Sequence, residues 1–503
     1  MFKEFANRPM PTEPATFIDE SEINRTLENV GLPDTARVRE VLAKSREMRG
    51  LSGDEVAVLM NVESPDLLEE MFAAARYIKD EIYGNRLVLF APLYISNLCK
   101  NECTYCAFRR SNKDLTRRTL SMEEIAAETR ILINQGHKRM LLVAGESYPE
   151  PEGFDYVLKA IEAVYATKSN DGKGGEIRRV NVNVAPLTQD EFIKLKAARI
   201  GTYQCFQETY HRPTYTQVHV CGVKRDYDWR VTAPDRAMRA HIDDVGIGVL
   251  FGLYDWKFEM LALRQHCEHL EREFNVGPHT ISMPRIEPAV GSPMSANPPH
   301  RVSDAEFKKI VAITRLSVPY TGMIMTTRET PAMRRATLDM GVSQISAGSR
   351  TNPGGYSSQE HNAEQFHNQL GDHRTLDEVV RDIAQQGFIP SLCTACYREG
   401  RTGAEIMKFL KPGAPLTTTA KDGEDLIHGL PAGPQRTSFI KKMCTPNALS
   451  SYTEYLENYA SPETRAAGLK VVKSIMETLE GGTKRASERM VARVLAGEKD
   501  VYF

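Results

Sequence analysis

Apolar positions follow two regimes along this chain. Up to residue 84 they recur at helical spacing, with leucines and alanines on one face of Ala36–Met48, Ser52–Met60 and Pro65–Tyr83. After Asn85, short apolar runs alternate with amphipathic stretches. Eight runs predict strands: Arg86–Ile95, Arg139–Ala144, Arg179–Val184, Gly201–Gln207, Gly246–Phe251, His279–Pro284, Thr321–Thr326 and Val342–Ala347. Helices are predicted between them, among them Met122–Gln135, Phe154–Thr167, Ala233–His241, Trp256–Phe274 and Ser303–Ser317. Eight strands alternating with helices predict an α/β fold, a complete (β/α)8 barrel, with an open sheet as the other arrangement the alternation permits. Three units result: an N-terminal helical extension (1–85), the barrel (86–388) and a mainly α C-terminal unit (389–503). Within the last, 411–436 is rich in Pro, Gly and Thr, lacks periodicity and reads as an inserted loop.

A length of 503 residues exceeds one ordinary core, in keeping with this division. The 64 basic and 66 acidic residues nearly cancel, so the expected partners include neither nucleic acid nor a membrane surface. No window approaches ~20 uninterrupted apolar residues, and Met1–Ala15 holds no apolar core of leader length. Six of the nine cysteines fall into two spaced sets, which suits a reducing compartment and metal binding. The expected location is the cytoplasm.

The first set follows the first predicted strand as Cys99-Lys-Asn-Glu-Cys103-Thr-Tyr-Cys106. This C-x3-C-x2-C loop supplies three thiolates, which leaves one iron of a 4Fe–4S cubane open to a small chelating molecule. Structural zinc wants a fourth ligand, and no Cys or His follows within the next 25 residues. The loop resembles that of the radical S-adenosylmethionine (SAM) enzymes. Its place at the C-terminal end of a barrel strand is where chemistry gathers in such folds.

Other candidates stand at other strand ends. Ala144-Gly145-Glu146 closes the second strand, and small residues there permit close backbone approach. It is similar to the turn by which radical SAM enzymes bind the methionine amino group. Tyr105 resembles the aromatic neighbour of the adenine in that family, though a packing role also fits its position. The fourth strand runs out into Phe206-Gln-Glu-Thr-Tyr-His-Arg-Pro213, where Glu208 and Tyr210 are candidate catalytic side chains and a Thr/Pro-capped turn is the plainer reading. The seventh ends in Thr326-Thr327-Arg328-Glu329. Arg328 suits two-pronged carboxylate binding, with an ion pair to Glu329 or another acid as the simpler alternative.

Cys393-Thr-Ala-Cys396, followed by Cys444, fits zinc or a second cluster; a thioredoxin-like redox dithiol is set aside because no βαβ unit of that kind surrounds the pair. His266 and His269 share a helix face, a pairing more often solvated or core than metal-binding. Cys205, Cys221 and Cys267 read as small buried residues.

Taken together, the chain resembles the radical SAM tyrosine lyases of FeFe-hydrogenase maturation. The stretches that carry this are Glu81-Ile-Tyr-Gly-Asn-Arg, Ala91-Pro-Leu-Tyr-Ile-Ser-Asn, the cysteine loop, Phe206 to Tyr215, Gly277-Pro-His-Thr-Ile-Ser, Ser391-Leu-Cys-Thr-Ala-Cys-Tyr-Arg and Cys444-Thr-Pro-Asn-Ala. The resemblance implies cleavage of the Cα–Cβ bond of L-tyrosine to p-cresol and dehydroglycine by a 5′-deoxyadenosyl radical. Dehydroglycine then yields carbon monoxide and cyanide on iron at a second cluster. It further implies that Cys99, Cys103 and Cys106 hold the SAM cluster, that Ala144, Gly145 and Glu146 contact SAM, and that Thr326, Thr327 and Arg328 hold the tyrosine carboxylate. Cys393, Cys396 and Cys444 would hold a C-terminal cluster with an extra iron near His269 or, failing that, His266. Implied partners are an electron donor such as ferredoxin or flavodoxin and downstream hydrogenase-maturation proteins.

One departure stands out: 47 residues separate Cys396 from Cys444. That is about 25 more than the family spacing, tolerable because loop-closure entropy grows slowly with length. The tyrosine lyase of thiamine thiazole synthesis, which stops at dehydroglycine, and tryptophan lyases share the radical logic but leave the C-terminal cysteines unexplained. A non-catalytic iron–sulfur scaffold would need no Ala-Gly-Glu turn, Arg328 or complete barrel.

Overall fold

The computed structural model describes residues 14–358, 369–399 and 437–502. Its centre is a closed parallel barrel of eight strands: β1 (Arg86–Ser96), β2 (Arg139–Ala144), β3 (Arg179–Asn183), β4 (Tyr203–Gln204), β5 (Val245–Gly248), β6 (Thr280–Ser282), β7 (Gly322–Met325) and β8 (Gln344–Ser346). Each strand pairs with the next, and β1 pairs with both β8 and β2 to close the ring. The predicted barrel is therefore present and the open-sheet alternative is not. A ninth strand, β9 (Ile389–Ser391), which the pattern did not reveal, pairs with Arg86–Val88 below the start of β2.

β1 shows why these runs fold this way. Its side chains alternate: Leu87, Leu89, Ala91, Leu93 and Ile95 pack into the helix shell, whereas Phe90, Pro92 and Tyr94 face the lumen. Both faces are covered, so the strand reads as one continuous apolar run. The predicted helices recur within a residue or two, or three at the C-terminal end of the first. Their starts are set by caps: Ser52, Ser121 and Ser303 each form a reciprocal box with the glutamate three residues on.

Outside the barrel, the N-terminal helices lean on Trp256–Phe274 and Asp304–Ser317. Helices Thr437–Asn458, Pro462–Thr478 and Gly481–Leu495 form the C-terminal unit, the first lying against β9 and Pro65–Tyr83. The segment 411–436, read above as an inserted loop, lies outside the described residues. No helix among the described residues is long and apolar enough to cross a membrane.

One buried ion pair braces the barrel's upper rim. Arg334 pairs with Asp372 and donates to Ser346 O at 2.7 Å, while the backbone N–H groups of Gly371 and Asp372 donate to Thr327 O at 2.9 and 3.0 Å. Asp372→Asn strands a buried guanidinium and is expected to lower unfolding free energy by about 3 kcal/mol, read from urea unfolding.

Candidate functional site

The upper mouth is built from strand ends. The Cys99–Cys106 loop leaves β1 and folds over the end of β2, where the Gly145 N–H donates to Ser96 O at 2.9 Å. A Cβ at Gly145 would stand 2.2 Å from Leu98 O, so only glycine lets the two loops meet. Beneath them opens a cavity of ≈ 1300 Å³ counted to its open mouth. Cys99, Cys103, Cys106, Tyr105, Ala144, Gly145, Glu146, Glu208, Thr326, Thr327 and Arg328 all line it, although they come from four different strand ends.

A charged network fixes this wall. Glu146 accepts from Arg230 and Asn101, each at 2.8 Å. Burial pushes its carboxyl up, but Arg230 and Lys224 outweigh that and hold it below the usual range. Glu208 accepts from Lys224 at 2.7 Å and adopts a positive φ of 73°, an uncommon state for a side-chain-bearing residue and one that clusters at functional sites. Tyr105 is held by His219: His219 Nδ1–H donates to Tyr215 O at 2.9 Å, which leaves Nε2 to accept the Tyr105 hydroxyl at 2.9 Å. Glu329 accepts twice from Arg285, at 2.9 and 2.5 Å, so this acid is engaged by another arginine than Arg328.

The three upper cysteines suit a cluster. They are free thiols around one cavity, and among the described residues no three Cys, His, Asp or Glu side chains are placed to hold a single metal ion. Burial raises the Cys106 thiol to about 12, so assembling a cluster there must release protons. The Glu146 carboxylate retains lone pairs for an ammonium beyond its two donors.

The second cysteine set lies at the barrel's opposite end. Cys393 follows β9, and its carbonyl accepts from Arg139 at the start of β2 at 3.2 Å. The Tyr397 ring lies under Arg139 and Arg179, with its hydroxyl 3.4 Å from Thr202. Cys444 reaches this pair across the long separation: a hydrogen bond with Cys396, together with burial, drives its thiol well up. β2 spans six residues between the two ends, roughly 20 Å of strand at ~3.3 Å per residue.

Three expected site residues are elsewhere. Tyr210 is fully buried outside the cavity, its hydroxyl 2.8 Å from His266 Nδ1. His269 Nε2 meets Asp235 at 2.6 Å and its ring stacks on Phe17, while burial lowers His266 to about 3. Both histidines face the N-terminal extension, on a helix outside the barrel wall, rather than the lower cysteines. A histidine that the fold does bring to the lower end is His279, just ahead of β6, whose buried Nδ1 has no hydrogen-bond partner and lies 4.0 Å from Asp244; His137, just ahead of β2, is a second, buried with neither ring nitrogen partnered. The stretch around His279, Gly277 to Ser282, carried part of the resemblance; its strand-start position was the signal. Lys224, Arg230 and Asn101 were also missed, because nothing local in the sequence ties residues of one connecting loop to another. Of the remaining cysteines, Cys205 and Cys267 are buried as expected, whereas Cys221 is only partly so.

Residues 93–264 match the family model of the radical SAM superfamily, and 282–389 that of the biotin and thiamin synthesis associated domain. Fold and upper mouth thus define a radical SAM enzyme, a class that carries a 4Fe–4S cluster and uses SAM. The 2-iminoacetate synthase of Escherichia coli (strain K12) is 31% identical over 341 residues, covering 68% of this chain and 86% of that protein. A crystal structure of HydG, a maturase of the FeFe-hydrogenase, superposes with a TM-score of 0.87 at 44% identity over 97% of this chain and all of that one. The HydG of Carboxydothermus hydrogenoformans gives 0.77 at 37% identity, over 94% of this chain and 98% of its own. The chain belongs to the HydG family of hydrogenase maturases.

Gly145→Ala is the most local test of the upper mouth. Its Cβ must displace backbone, and a shift of about 1 Å at a reacting centre costs on the order of 100-fold in rate, here read as 5′-deoxyadenosine formation.

Proposed function

We propose that this enzyme cleaves L-tyrosine between Cα and Cβ, giving p-cresol and dehydroglycine, and passes dehydroglycine to a second iron–sulfur cluster for conversion to carbon monoxide and cyanide. The observation that carries this reading is the placement of two three-cysteine sets at opposite ends of one barrel lumen. In it, Cys99, Cys103 and Cys106 hold the SAM cluster, which supplies the electron that cleaves SAM. Asn101 and Arg230 orient Glu146, whose remaining lone pairs take the SAM ammonium. Thr326, Thr327 and Arg328 bind the tyrosine carboxylate, with Arg328 offering a planar fork matched to it. The surrounding barrel wall keeps water from a radical that would abstract hydrogen from most neighbours.

Cys393, Cys396 and Cys444 hold the second cluster in this reading, with His279 replacing His269 and His266 as the histidine near an extra iron. Support comes from the convergence of Cys444 on Cys396 and from the unpartnered polar atoms at that end. The physiological reductant is proposed to be a small electron-transfer protein, and the product passes to other maturation proteins.

The test is anaerobic reconstitution followed by incubation with SAM, tyrosine and dithionite. p-Cresol together with carbon monoxide captured by a haem protein is expected. p-Cresol without carbon monoxide would reduce the enzyme to a dehydroglycine-forming lyase, and SAM cleavage without p-cresol would mean another substrate.

A further inference from the structure

The lower end of the lumen is unusually cationic for a barrel floor. Arg86, Arg139 and Arg179 share the inward parity of Phe90, Leu141 and Asn183 on their strands, and Arg139 and Arg179 are register partners. The Nε atoms of all three are buried without a hydrogen-bond partner, as is the carboxylate of Asp244. Arg139 and Arg179 have other engagements: Arg139 donates to Cys393 O, Arg179 to the carbonyls of Arg199, Ile200 and Tyr397, and both ride on the Tyr397 ring. Arg86 differs. It is partly buried, its Nε meets no acceptor among the described residues, and β9 pairs beside it and carries the chain directly to Cys393.

An arginine cannot shed its proton at ordinary pH, so a buried guanidinium without an acceptor is costly unless an anion faces it. The groups around Arg86 are the three lower cysteines and Tyr83: burial works against its charge, and Cys444, Cys396, Cys393 and Tyr83, in that order, favour it. The cysteines become its countercharge once they are ligated as thiolates. The upper mouth is different, since there Glu146 and Glu208 balance Lys224 and Arg230.

The geometry points to Arg86 as the countercharge of the cluster held by Cys393, Cys396 and Cys444, setting its reduction potential. This rests on the second-cluster reading above. One-electron reduction of a cubane with three thiolates adds a negative charge, and a fixed cation at its sulfurs stabilises the reduced form and raises the potential. Arg86 acts through the cluster and is a positioning residue rather than a catalytic one.

The experiment uses the full chain with Cys99, Cys103 and Cys106 changed to Ala, so that only the lower set can bind. The reconstituted protein is titrated with dithionite and followed by electron paramagnetic resonance. Arg86→Gln is expected to shift the midpoint to more negative potential, with Arg86→Lys restoring most of the shift. An unchanged midpoint in Arg86→Gln overturns the proposal. If Arg86→Gln binds no iron while Arg86→Lys does, the cation serves cluster assembly rather than its potential and the proposal falls. If both lose iron while the circular dichroism spectrum stays native, the arginine serves packing and the proposal falls. Absence of any cluster in the parent instead overturns the second-cluster reading, and the proposal with it.

Discussion

Cys103→Ala abolishes 5′-deoxyadenosine formation and removes roughly four irons per chain, because three thiolates are the fewest that keep a cubane with one open site. Cys103 is the most deeply buried of the three, joined to His219 by a backbone bridge and packed against Val218 and Leu250. Its loss removes one of the three thiolates that the loop supplies, and the carboxylates lining the same cavity, Glu146 and Glu208, are already paired with Arg230 and Lys224. The same result is expected of Cys99→Ala and Cys106→Ala. Iron analysis and the nucleoside assay measure it together, and the fold should persist because the loop lies above the barrel wall. Retention of full nucleoside formation in any of the three would remove the upper site from the chemistry.

The second large effect separates the two ends. Cys444→Ala is expected to leave p-cresol formation within about twofold, while carbon monoxide falls by at least about 100-fold, on the scale by which even outer-shell changes weaken a metal site. Cys444 is not among the residues that line the upper cavity. It lies on Thr437–Asn458, a helix packed on β9 and on Pro65–Tyr83. Loss of p-cresol to the same extent would mean that the lower set supports the barrel rather than a second reaction. Both products assayed from one incubation make the contrast internal.

The lower site's histidine shows the limit of helical spacing as evidence. His266 and His269 stand three apart on one face, as metal ligands often do, yet the helix turns that face towards Phe17, Asp235 and Tyr210. Periodicity reports which residues share a face and is silent on what the face meets. His279 had no periodic signature at all. Its position follows from β6 beginning at Thr280 and from β9 carrying Cys393 to the same end.

Other features were legible because they are local. The strand–helix alternation from Arg86 to Ala347, the capping boxes and the three-cysteine loop all arise from residues near one another in the chain, where backbone preference and side-chain parity act directly. The sequence by itself therefore determined the barrel, its elements and the thiolate loop at the end of its first strand. Only the tertiary structure decided which distant charges meet: Arg230 and Asn101 on Glu146, Arg285 rather than Arg328 with Glu329, Cys444 beside Cys396, and Arg86 facing the lower cysteines. Those pairings depend on ring closure and on the docking of the C-terminal helices. Both are set by the burial of many side chains at once, and no short stretch of sequence encodes them.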